Sequence, residues 1–318
     1  MSDKVFRYSV FGLDVTSDIA LAGLRAPAGS GKPVRIHAAC AQDFDAPDGP
    51  AHCVGGFEAH WHVGEGRWLS RYGAGSGTPL WSMEAHSGGA RLDIRWSDPS
   101  QLHDIPAVVQ GAGLAMALHL QGAFILHAGA VAVGGRAVLI IGNSGAGKSS
   151  TVAAMVRGGC PLISDDMAVL DVEGEGVGVR RGPLRFRIYE DSARAAGWTE
   201  PLPKLFHHPV FDDKRYIDLA DGTSPETVGV AAICVLQPRG SGADRVAVER
   251  LPARAALGHL LRNVYRAPFL DPARAKLAAE RCAWIAARVP VVAVHRPDAL
   301  GSLPDIARAI TGFASAMG

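Results

Sequence analysis

A chain of 318 residues, 48% of them hydrophobic, can bury the core of one large domain or two modest ones. Its 32 Lys and Arg against 31 Asp and Glu leave a formal charge of +1, which speaks against nucleic acid or an anionic membrane as the main partner. No run reaches the roughly 18 apolar residues of a membrane helix, the first residues lack a signal peptide's apolar core, and Cys40, Cys53, Cys160, Cys234 and Cys282 are dispersed without a C-x-x-C pair, so a cytoplasmic protein with reduced thiols and no structural zinc is expected.

Residues 1–103 form a stretch rich in Gly, Ala, Pro, His and Trp. Gly29-Ser30-Gly31-Lys32-Pro33 imitates part of a phosphate loop, but Ala26 replaces the first required glycine and Pro33 stands where a hydroxyl is needed, so it reads as a loop. The aromatics of Arg67–Tyr72 lean toward strand, Gly73–Gly77 is turn-like, and Ala90–Trp96 alternates as a half-buried strand should. This region predicts a small β-rich or α+β module.

Residues 104–318 have a different texture. Ile105–Gly122 is helix-like despite its glycines, and Phe124–His127 reads as a strand. Ala130–Val133 and Ala137–Ile141 flank Gly134-Gly135 as a hairpin. The second strand runs into Gly142-Asn143-Ser144-Gly145-Ala146-Gly147-Lys148-Ser149, and Ser150–Arg157 after it reads as a helix closed by Gly158-Gly159. Pro161–Ser164 is a short strand ending in Asp165-Asp166, Met167–Val172 is extended, and Gly174–Gly178 is a turn. Val228–Leu236 is a strand with Arg245–Leu251 beside it. Asp271-Pro272 starts a helix, Val289–Val294 is an edge strand on account of Pro290, and Pro297–Ala314 is a closing helix. Strands mixed with helices and hairpins predict an α/β core with a mixed, partly antiparallel sheet.

Residues 142–149 match G-x-x-x-x-G-K-[ST] in full, between a strand and a helix. The glycines let several N–H groups converge on one anion, and the helix adds its positive end. Lys148 would reach the β- and γ-phosphates, the Ser149 hydroxyl would face magnesium, and Ser150 would complete the first helical turn. A nucleoside triphosphate is the expected ligand.

Asp165 and Asp166 follow at a strand's carboxyl end, where ligands of α/β sheets gather. One carboxylate can hold magnesium while the other orients an incoming hydroxyl and takes its proton. His127 ends a strand one hairpin before the loop, which can bring it near the phosphates. Arg185 and Arg187 alternate on one strand face, and Lys214-Arg215 follows a Pro/His loop; either pair could bind phosphate oxygens or the second substrate. Asp212 and Asp213 read as solvated, and His207-His208 has no further metal ligands in view.

Taken together, Leu126-His127-Ala128-Gly129-Ala130, Gly142–Ser149 and Arg157-Gly158-Gly159-Cys160-Pro161-Leu162-Ile163-Ser164-Asp165-Asp166 resemble the HPr kinase/phosphorylase family in order and spacing. The resemblance implies an HPr-kinase-like P-loop core over 104–318, ATP and Mg²⁺ as cofactors, Asp165 as the base toward a serine, Asp166 as a metal partner beside Ser149, and His127 as an aid to phosphate or base orientation. That family forms hexamers, which makes a homo-oligomer an expectation. Val179–Tyr189 departs from the glycine-rich signature that the family ties to dephosphorylation, and residues 1–103 do not look like its N-terminal domain. The chain is more similar to divergent HPr-kinase-like proteins, some of which accompany lasso-peptide clusters and phosphorylate the C-terminal serine of a precursor peptide. The expectation is an ATP-dependent serine kinase acting on a peptide or protein. A kinase of a small hydroxylated metabolite and a non-catalytic nucleotide-binding regulator are the alternatives.

Overall fold

The computed structural model describes residues 4–27, 29–41, 52–54, 58–62, 66–73, 79–174, 176–205, 213–219, 225–238 and 243–317. The turn-like run after Gly73, the His207-His208 pair and Asp212 lie outside the described residues. The chain forms two compact units. The first comprises residues up to Ala123 with Arg266–Asp271, and the second Phe124–Leu205, Asp213–Tyr265 and the residues from Pro272 onward.

The first unit is built on an eight-stranded sheet. Its order is Phe6–Val10, Leu13–Ser17, Lys32–Cys40, Arg91–Trp96, Trp81–His86, Trp68–Tyr72, Glu58–His62 and His52–Val54. Lys32–Cys40 runs parallel to both neighbours and the remaining pairs are antiparallel. The imitation phosphate loop is consumed here, since Lys32 and Pro33 already belong to a strand. Leu92, Ile94 and Trp96 alternate inward as their spacing predicts. A helical segment follows as Ile105–Val108, a π-helical turn at Val109–Gly113, and Leu114–Leu120. The wide turn falls on the glycines. The segment lies close on the sheet: a Cβ added at Gly89 would stand 2.3 Å from the Ala117 carbonyl oxygen, and one at Gly113 would stand 3.6 Å from Met83 Sδ.

The second unit is mixed α/β, with a partly antiparallel nine-stranded sheet among the described residues. Gly129–Val133 and Arg136–Ile141 form the expected hairpin, turned by Gly134 (φ +57°) and Gly135 (φ +78°). Arg136–Ile141 then pairs in parallel with Thr227–Leu236, opposing Ile140 to Cys234. Thr227–Leu236 also pairs with Gly176–Arg180 and with Val291–His295. The helices Lys148–Arg157 and Leu303–Ser315 cover one face, where Val138, Ile140, Val152, Met155, Val292, Val294, Ile306 and Ile310 form a dry core. The two-stranded ribbon of Arg185–Tyr189 and Lys214–Asp218 adds Phe186, Ile188 and Ile217 to it.

Several sequence expectations need correction. Arg245–Leu251, expected beside Val228–Leu236, supplies the strand Ala247–Arg250, which pairs with Val291–His295 instead. The expected turn at Gly174–Gly178 is shorter, because Gly176 already opens a strand that pairs Val177 with Val172. Val291–His295 is interior: Ala247–Arg250 flanks it and forms the edge. Pro290 precedes that strand, and its carbonyl accepts the Ile233 N–H at 2.9 Å, so its missing donor disrupts no ladder. The helix Ala253–Arg262 was not expected at all. No helix among the described residues is long and apolar enough to cross a membrane.

Candidate active site

The phosphate loop leaves the buried strand Arg136–Ile141 at Gly142 and enters the helix Lys148–Arg157 at Gly147. Gly145 (φ +75°) and Gly147 (φ +87°) take left-handed conformations that only glycine adopts without strain. At Gly142 the limit is space, since an added Cβ would stand 3.1 Å from the Leu236 carbonyl oxygen and 3.2 Å from Ala146 Cβ. The Ala146 N–H donates to the Asn143 carbonyl at 3.0 Å, which closes the loop on itself. Asn143, Ser144 and Gly145 are exposed at the rim, while Ser150 is buried in the first turn. The helix has no side-chain cap and no acidic residue in that turn. Its first N–H groups therefore have no intrahelical acceptor and face the loop with the positive end of the dipole.

Lys148 is 8% exposed, and its Nζ donates to the carbonyl oxygens of Gly142 at 2.9 Å and Asn143 at 3.3 Å. An ammonium has three donors, so one remains for a phosphate oxygen. Burial lowers the Lys148 pKa, and Asp166 and then Asp165 oppose that shift.

Asp165 meets the loop directly. The Ser149 hydroxyl donates to its Oδ1 at 3.2 Å, and the Arg187 backbone N–H donates to its Oδ2 at 3.0 Å. Its pKa is raised by burial and by Asp166 alongside, with the Arg187 N–H pulling the other way. Asp166 sits in the left-handed region (φ +67°), which an Asp tolerates and which turns its carboxylate to different partners. Arg187 forms an ion pair with Oδ2, the Tyr265 hydroxyl donates to the same oxygen at 3.5 Å, and His127 Nδ1 lies 3.6 Å from Oδ1. Burial alone would raise the Asp166 pKa, but Arg187, then His127, Lys214 and Lys148, outweigh it and hold the value at about 2. Asp166, the implied magnesium partner, thus has its carboxylate engaged by an arginine, and the carboxylate touching Ser149 is that of Asp165.

His127 is half-buried and stacks on Tyr265 with ring centroids 5.7 Å apart and planes 13° from parallel. Burial lowers its pKa, Asp166 counters this, and Lys148, Arg187 and Lys214 add to the lowering.

By register Arg185, Arg187 and Lys214 share one face of the ribbon and Arg215, opposite Ile188, lies on the other, so the four divide by their partners. Arg187 reaches the Asp pair, while Lys214 lies over the Tyr189 ring at 5.2 Å and forms no ion pair among the described residues. Arg185 is held by Asp218 at 2.7 Å and lies over Tyr216, and Arg215 pairs with Glu190 at 3.3 Å and Asp213 at 3.0 Å. Both are occupied away from the loop.

Three further residues reach the site without a sequence signal. The buried Arg296 guanidinium donates to the Ala146 carbonyl and, at 3.3 Å, to that of Gln237, bracing the loop from behind. Asn263 and Tyr265 approach from the unexpected helix. All three come from segments distant in sequence from the motif, and no local pattern marks them.

The lining suits a magnesium–polyphosphate: main-chain N–H groups and an ammonium can bind the phosphate oxygens, and a hydroxyl and two carboxylates are hard oxygen ligands for the cation. No family model and no curated protein sequence matches the chain. Among solved structures, it is similar to the HPr(Ser) kinase/phosphatase from Coxiella burnetii, with 14% identity and a TM-score of 0.30, over 61% of this chain and 97% of that one.

Proposed function

We propose that the chain is an ATP-dependent kinase that transfers the γ-phosphate to a hydroxyl, with a peptide or protein serine as acceptor. The observation that carries this reading is the meeting of two motifs: Ser149 of the phosphate loop donates to Asp165 at 3.2 Å. One carboxylate would serve a magnesium-bound nucleotide, and the second is what an acceptor hydroxyl calls for.

In this reading the loop N–H groups and Lys148 hold the triphosphate. Ser149 and, as the family resemblance suggests, Asp166 would hold magnesium. The cation, when bound, neutralises phosphate charge and helps the leaving group depart. Asp165 orients the acceptor hydroxyl and takes its proton as the new O–P bond forms and the bond between the β- and γ-phosphates breaks, leaving ADP. Its raised proton affinity suits that task, whereas Asp166 stays ionised at neutral pH. His127 is placed to steady Asp166 or a phosphate oxygen. Arg187 and Lys214 supply cationic charge on the acceptor side. The C-terminal serine of a lasso precursor peptide is the specific acceptor that the family resemblance suggests, and self-association is the expectation drawn from the hexameric family.

The test is a pair of substitutions. Lys148→Ala should weaken Mg·ATP binding about 10- to 100-fold, the loss of a charged hydrogen bond worth about 1.5–3 kcal/mol. Asp165→Asn should bind Mg·ATP normally and lose transfer to serine peptides by about 10²–10⁴-fold. Undiminished transfer by Asp165→Asn would remove the base from the mechanism.

A further inference from the structure

We infer that the segment Asn263–Tyr265 is a strut coupling the phosphate loop to the acceptor side of the site, with Asn263 as its positioning residue. This rests on the kinase reading. Asn263 ends the helix Ala253–Arg262 and is 5% exposed. Its Nδ2 donates to the His259 carbonyl at 2.8 Å, which fixes the amide's orientation. Its Oδ1 then accepts the Gly142 N–H at 3.3 Å, and its main-chain carbonyl accepts the His127 N–H at 2.7 Å. Two residues on, the Tyr265 N–H donates to the Ile125 carbonyl at 2.9 Å, its ring stacks on His127, and its hydroxyl reaches Asp166 at 3.5 Å. One short stretch of chain therefore touches the first glycine of the loop, both the backbone and the ring of His127, and the second aspartate.

The chemistry of the side chain explains why an amide stands here. Gly142 needs an acceptor and the His259 carbonyl needs a donor, and a primary amide supplies both without charge. Aspartate would put a negative charge beside the anion site, and alanine would leave the buried Gly142 N–H unpaired. Gly142 has little room to adjust, because the Leu236 carbonyl and Ala146 already crowd it. Its N–H is therefore held from behind, and a shift of the loop on nucleotide binding passes through Asn263 to His127 and Tyr265. Coupling of this kind is reciprocal, so the state of the His127–Asp166 pair feeds back on nucleotide affinity.

The experiment uses Mg·AMPPNP as probe on the full chain, with calorimetric affinity and the ¹⁵N signals of the His127 ring read together. In the wild type, Mg·AMPPNP should bind and shift the His127 signals. Asn263→Ala should bind about five- to tenfold more weakly, and its His127 signals should no longer respond. Tyr265→Phe keeps the ring stack and should bind within about twofold of wild type. Because Asn263 is intact in it, its His127 signals should still respond to the nucleotide. Wild-type affinity together with a wild-type His127 response in Asn263→Ala would overturn the strut while leaving the kinase reading intact. Should Asn263→Ala not fold, Asn263→Asp, which loses the donor to the His259 carbonyl, is read in the same way, and wild-type affinity with a wild-type His127 response overturns the strut. Failure of the wild type itself to bind Mg·AMPPNP would remove the kinase reading and the strut with it.

Discussion

Asp165 and Asp166 are adjacent in sequence yet differ in proton affinity, because the left-handed turn at Asp166 sends the two carboxylates to different partners. Asp166, depressed to about 2 from 3.8, contributes stability that is present above the unfolded value and lost as pH falls through the folded one. Asp165, raised, has the opposite sign: it is less favourable when ionised in the fold, and that penalty is relieved on protonation. Carbon-13 titration of the carboxyls should give one value near 2 and one above the usual range for Asp. Arg187→Met should move Asp166 upward and His127 upward as well, since Arg187 lowers both; an Asp166 value unchanged in Arg187→Met would contradict the assignment of partners. Lys148 and Ser149 were legible because the phosphate-loop motif places them, and the aspartates because they end the strand that follows the loop helix. Arg187 was legible only as one of four basic residues. Sequence gives the face of a strand but not who stands opposite, and only the register shows Asp218 holding Arg185.

At the scale of elements, the hairpin, the loop and the loop helix form a unit whose fit depends on Gly129. A Cβ there would stand 2.4 Å from Val152 Cγ2, on the helix that carries Lys148. Gly129→Ala should therefore push that helix off the sheet and destabilise the protein by about 1–3 kcal/mol, read as a lowered denaturant midpoint; a midpoint equal to wild type would show that the helix has slack. The hairpin was legible from Gly134-Gly135 between two apolar runs, and so was the helix begun by Asp271-Pro272. Sheet neighbours were not. Thr227–Leu236 inserts beside the loop strand from far along the chain, and Arg245–Leu251, expected beside Val228–Leu236, joins Val291–His295 instead. The helix Ala253–Arg262 escaped because Gly258 interrupts its pattern, and with it went Asn263 and Tyr265.

For the molecule as a whole, composition divides the chain near residue 104, whereas contacts divide it at Ala123 and add Arg266–Asp271 to the first unit. The segment Ile105–Leu120 has the Ala/Leu texture of the second half but packs through Gly89 and Gly113 on the first unit's sheet. Arg266 likewise pairs with Glu58 at 2.7 Å, a contact 208 residues apart in sequence. Texture reports what a segment is made of, and only packing reports what it lies against. The mixed α/β core with a partly antiparallel sheet was nonetheless legible, because short strands, a tight turn and a loop helix each carry local signals.

A crystal structure of the full chain with Mg·AMPPNP tests the central claim most directly. The account expects the β- and γ-phosphates against the main-chain N–H groups of 143–149 and Lys148 Nζ, magnesium bonded to Ser149 Oγ, and the Asp165 carboxylate beside the terminal phosphorus. A nucleotide bound elsewhere, or an Asp165 carboxylate turned to solvent away from the γ-phosphate, would contradict it.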